Sequence, residues 1–206
     1  MKIDLIPVSK TRTPADLFVV GLFEKEKLSK EAESLEPAFA KALKSAVDKG
    51  RFTGKFGQEF SSFRDDHREA PEIVLLGLGQ KKNYKPACLR KTVGKMVQAA
   101  RSRKSEKVRL FLDSFVSGNI TYPLASEIIA ETALLASYDF DKYKTKKDEN
   151  EKKKKLETLE VLFLKKQFQE NLLKSADRAQ KIAQGVLLTR DLINEPANVM
   201  NPQRLA

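Results

Sequence analysis

Apolar residues in this chain alternate between short runs and helical stripes. Residues 16–23 (DLFVVGLF) and 72–79 (EIVLLGLG) are nearly unbroken apolar runs, the pattern of strands buried on both faces. Residues 3–8, with Pro7 near the end, and residues 108–112 and 156–164 predict further strands. Between them apolar positions recur at helical spacing. Leu35, Phe39, Leu43, Ala46 and Val47 predict a helix within residues 29–49, stopped by Gly50, with Ser34 and Pro37 marking a fresh start partway along. Leu89, Val93, Met96, Val97 and Ala100 predict a helix over residues 86–104, with Arg90, Lys91, Lys95 and Arg101 off the apolar stripe. Residues 123–137 are rich in Ala, Leu and Ile and form a third, which Tyr138, Phe140 and Tyr143 close off with aromatic bulk. The longest helix runs over residues 167–191, with Leu172, Ala176, Ala179, Ala183, Val186 and Leu187 on one face, and Asn194-Glu195-Pro196 breaks it. Residues 51–63 (RFTGKFGQEFSSF) set phenylalanines among glycines and predict a hairpin, or two short strands about a glycine turn. Strands alternating with amphipathic helices give an α/β class, a three-layer sandwich with helices on both faces of a central sheet.

A chain of 206 residues suits one domain, or one domain and a piece of a second. It needs no disulfide or metal to fold, since a domain of this size buries about 70% of its unfolded surface. No apolar stretch is long enough to span a bilayer, and the N-terminus lacks the features of a signal peptide. The single cysteine, Cys88, excludes an internal disulfide and points to a reducing, cytoplasmic compartment. With one histidine, His67, a Cys/His zinc site is excluded as well. Carboxylate metal sites and carboxylate acid–base pairs remain open to a chain with 28 acidic residues.

The net charge of +11 is unevenly placed. Residues 81–107 hold ten basic residues against Glu106 alone, and residues 144–155 hold seven lysines against three acids. A localised positive charge can bind polyanions, so a nucleic-acid or nucleotide-binding module is the alternative reading, with weak, sequence-independent DNA contact as its mildest form. Tyr84 is the only aromatic within residues 81–107, which leaves little for base stacking. Gly77-Leu78-Gly79 at a strand end could admit a phosphate, but the third glycine of a dinucleotide fingerprint is missing. Gly54-Lys55 lacks the spaced glycines and the following Ser/Thr of a phosphate loop. Asp65-Asp66-His67 reads as an exposed turn before it reads as a metal site, and residues 145–155 read as a mobile charged loop open to trypsin.

Asn201-Pro202 reads as a helix cap followed by the first helical position, too close to Ala206 for a stable helix, so the expectation is a fragment cut just inside a second domain. Residues 189–206 (TRDLINEPANVMNPQRLA) closely resemble the junction segment of the leucyl (cytosol) aminopeptidase family of metallopeptidases, roughly R-D-L-V-N-x-P-x-N-x-x-T-P-x-x-L-A. The matching positions include Arg190, Leu192, Asn194, Pro196, Asn198, Pro202, Leu205 and Ala206, with Ile193 and Asn201 as mild departures. Residues 73–79 are similar to the family's V-L-L-V-G-L-G strand. Residues 50–59 resemble its G-x-F-x-G-K-x-G-E stretch, with Gln58 inserted, and residues 137–144 its Y-x-F-D-x-Y-K segment.

The resemblance implies a macro-domain-like N-terminal α/β fold with a mixed central sheet over residues 1–165, a long linker helix over residues 166–195, and the start of a truncated catalytic domain over residues 196–206. It also implies the role of that domain, an accessory to a leucyl aminopeptidase that removes N-terminal amino acids from peptides. In the family a homo-hexamer carries two divalent metals, manganese or zinc, in the catalytic domain. None of the family's metal ligands maps onto this chain, so no catalytic, cofactor-binding or metal residue is assigned to it, and the fragment alone is expected to be inactive.

Overall fold

The computed structural model describes residues 1–10, 14–35, 37–63, 72–144 and 155–200. The readings made on Asp65-Asp66-His67, on residues 145–154 and on Asn201-Pro202 lie outside these residues. Six strands form one sheet: β1 (Lys2–Pro7), β2 (Leu17–Phe23), β3 (Glu59–Phe63), β4 (Glu72–Gly79), β5 (Lys107–Phe111) and β6 (Thr158–Phe163), in the order β1-β6-β5-β2-β4-β3. All neighbouring strands are parallel except β3, which runs antiparallel to β4, so the sheet is mixed.

Among the described residues five α-helices cover it: α1 (Lys30–Leu35), α2 (Pro37–Asp48), α3 (Pro86–Ser102), α4 (Tyr122–Ala136) and α5 (Gln169–Asn194). Alternate residues of each strand point to opposite faces. Val19, Val74, Leu110 and Val161 pack with Leu89, Met96, Ile129, Leu172 and Ala179 of α3, α4 and α5. Phe18, Val20, Leu75 and Phe111 pack with Ala32, Phe39 and Leu43 of α1 and α2. Both faces of β2 and β4 are buried, which is why their sequences read as unbroken apolar runs. The break expected near Pro37 is present, and it divides α1 from α2.

Three expectations need correction. Residues 51–63 do not form a hairpin: only β3 is a strand, and it pairs with β4. Residues 54–58 instead form a turn against the end of β4, where Gly54 (φ +75°) and Gly57 (φ +78°) take left-handed conformations. Leu112 leaves the strand for a short 3-10 turn, Leu112–Phe115. On α5 the apolar face splits: Leu172, Ala176, Ala179 and Ala183 are buried, whereas Val186 is exposed and Leu187 only half-buried.

Candidate functional site

Five of the ten basic residues within residues 81–107 have a carboxylate partner. Lys81 meets Glu26 at 2.5 Å, Arg90 meets Glu131 at 3.2 Å and Arg101 meets Asp139 at 3.0 Å. Arg103 is held between Glu59 and Glu72 at 2.7 and 2.6 Å, and Lys107 pairs with Glu160 at 2.7 Å. Lys95 spends its ammonium on the Gly57 carbonyl, 2.8 Å away. The carboxylates come from other segments, so they are invisible to a local charge count. Tyr84 is buried, its ring edge-on to Phe23 and its hydroxyl donating to the Phe115 carbonyl. Burial raises its phenol pKa, and the ring offers no surface to a nucleic-acid base.

The glycine pair at the end of β4 serves the protein's own backbone. A Cβ on Gly77 would lie 2.0 Å from the Lys55 carbonyl oxygen, and one on Gly79 would lie 3.0 Å from Phe56 Cβ. The Gly77 N–H donates to the Gln58 carbonyl, the Gly57 N–H to the Gly77 carbonyl and the Gly79 N–H to the Gly54 carbonyl. The space a phosphate would need is filled by residues 54–58.

A cleft of about 290 Å³ opens at the C-terminal ends of β2 and β5, where the connections leave for opposite faces of the sheet, a common ligand position in α/β folds. Its polar groups largely hold its own walls. Ser114 Oγ accepts from the Gly21 N–H and donates to the Phe111 carbonyl. Asp113 accepts from the Tyr122 hydroxyl and from the Leu164 N–H. Hydrogen bonding to this carboxylate adds to desolvation in raising the Tyr122 pKa. Among the described residues no group of three His, Cys, Asp or Glu side chains is placed to hold a metal ion.

The end of α5 is more elaborate. Tyr138 donates to Asp191 at 2.8 Å and accepts from Asn194 Nδ2 at 3.2 Å. Arg190 donates to the Leu135 carbonyl at 3.0 Å, with its guanidinium over the Tyr138 ring. Glu195 receives both the Lys142 ammonium and the Tyr143 hydroxyl. Asp141 pairs with Lys144 and Lys155, whose hydrogen bonds lower its pKa to about 2. Of the aromatic residues expected to close off α4, Tyr138 and Tyr143 thus act through their hydroxyls at the end of α5, and Phe140 lies against the Tyr143 ring. The four segments similar to the aminopeptidase family meet in pairs, residues 54–58 with the end of β4, and residues 138–143 with the end of α5.

Residues 19–147 match the family described as "Cytosol aminopeptidase family, N-terminal domain". The "Probable cytosol aminopeptidase" of Azotobacter vinelandii is 32% identical over 204 residues, covering 97% of this chain and 40% of that protein. That of Alkaliphilus oremlandii is 29% identical over 207 residues, covering 100% of this chain and 41% of that protein. The chain therefore spans about 40% of the length of these relatives. Among solved structures, a tomato leucine aminopeptidase mutant superposes with a TM-score of 0.73 at 20% identity, covering 100% of this chain and 40% of that one. The bottromycin maturation enzyme BotP in complex with Mn superposes with a TM-score of 0.63 at 20% identity, covering 92% of this chain and 34% of that one. This chain belongs to the cytosol aminopeptidase family and carries its N-terminal domain.

Proposed function

We propose that this chain serves as the accessory domain of a metal-dependent leucyl aminopeptidase, an enzyme that removes N-terminal amino acids from peptides. In this reading residues 1–165 are the α/β domain, residues 166–195 the connecting helix and residues 196–206 the entry to the catalytic domain. Two divalent metals, manganese or zinc, and the side chains that hold them belong to that catalytic domain. The whole enzyme is a cytoplasmic homo-hexamer. No helix among the described residues is long and apolar enough to cross a membrane.

The observation that carries the reading is the second half of α5. Ile182, Val186 and Ile193 are 44%, 37% and 76% exposed. Their spacing of four and seven residues puts them on one side of the helix. An apolar row of this kind is suited to burial against another domain. The ion pairs along residues 81–107 weigh against the nucleic-acid module. What remains, chiefly Lys82, Lys85, Lys91 and Lys104, supports only weak, salt-sensitive contact with phosphates.

The test is direct. Purified chain incubated with leucine p-nitroanilide and manganese or zinc is expected to release no p-nitroaniline above a buffer blank. Hydrolysis that a chelator abolishes and that survives repurification would overturn the reading.

A further inference from the structure

We infer that residues 138–143 form a clasp that fixes the C-terminal end of α5 and, with it, the direction in which the chain leaves the helix at Pro196. The electrostatics of the helix end call for such a device. Asp191 and Glu195 place two carboxylates where the helix dipole is negative, and the last turn of α5 carries no basic residue. Glu195 is also poorly solvated: its side chain is 9% exposed, whereas that of its partner Lys142 is 56% exposed. A carboxylate in that position needs charge and donors from elsewhere. Residues 138–143 provide them: Lys142 and Tyr143 to Glu195, and Tyr138 to Asp191.

The clasp has its own anchors. Asp139 is tied to α3 through Arg101, and Asp141 to Lys144 and Lys155. The core contacts of α5 lie well upstream, at Leu172, Ala176, Ala179 and Ala183. Glu195 is thus a positioning residue. The clasp acts on the last turns of the helix and leaves its core anchorage alone.

Amide hydrogen exchange on this chain separates the two. Lys142→Met and Glu195→Gln are expected to lower protection of residues 190–195 by about tenfold or more, the scale of a lost charge-assisted hydrogen bond. Protection of residues 172–183 is expected to stay unchanged. Tyr143→Phe gives a smaller local loss, and Lys142→Arg retains near-native protection because the cation is kept. Unchanged protection at residues 190–195 in both Lys142→Met and Glu195→Gln would overturn the clasp. So would a loss spread equally over residues 172–183, or a failure of Lys142→Arg to preserve protection. None of these outcomes bears on peptidase activity, so the clasp and the accessory-domain reading fail separately.

Discussion

Replacing Glu160 with alanine is expected to destabilise the chain by about 3–5 kcal/mol, the usual cost of breaking a buried ion pair from one side. Glu160 lies on β6 directly beside Arg109 of β5. Its carboxylate accepts from Arg109 Nε at 2.9 Å and from Lys107 at 2.7 Å. The Arg109 side chain is only 2% exposed, and the substitution removes the carboxylate that faces it among Phe18, Phe111 and Leu162 on the same face of the sheet. Thermal or urea unfolding of Glu160→Ala reads the loss. The paired replacement Glu160→Leu with Arg109→Met is expected to recover most of it, because well-packed apolar substitutes often match a buried ion pair. A loss below about 1 kcal/mol, the scale of a surface pair, would contradict this account.

Gly77→Ala is expected to cost about 3 kcal/mol or more, the upper range for forcing extra volume into a packed site. Its new Cβ would stand 2.0 Å from the Lys55 carbonyl oxygen and 3.0 Å from the Gly54 carbonyl carbon. Backbone cannot swing aside as a flexible side chain can, so the turn at residues 54–58 must lift off β4. Gly94→Ala makes a clean contrast. It sits in α3 with open space around the added carbon, and gains about 0.5–1 kcal/mol from helix propensity. Chemical denaturation of the two variants side by side measures both. Equal effects at the two positions would refute the close-approach explanation.

The sequence showed most of the fold because β2 and β4 are buried on both faces and so stand out as apolar runs. It showed less where the deciding contact is remote. Arg109 sits in a strand whose neighbours are Val108 and Leu110, and nothing local reveals that Glu160 will lie beside it. The Phe and Gly residues of 51–63 suggested a hairpin because glycine turns commonly join strands. Here the same glycines let one backbone lie close against another. On α5 helical periodicity marked the apolar residues, but periodicity cannot say which turns the domain's own core reaches. The core reaches Ala183 and leaves Val186 exposed. The junction motif was legible as a resemblance. Its contact with residues 138–143 was not, because Tyr143 and Glu195 are 52 positions apart in the chain.

Calorimetric titration of the purified chain with manganese and with zinc tests whether the N-terminal domain stands apart from the catalytic machinery proposed for the whole enzyme. No saturable binding of either ion is expected, since the family's metal ligands are proposed to belong to the catalytic domain. Stoichiometric, chelator-reversible binding that persists in His67→Ala would contradict this, because this chain's own residues would then hold the metal.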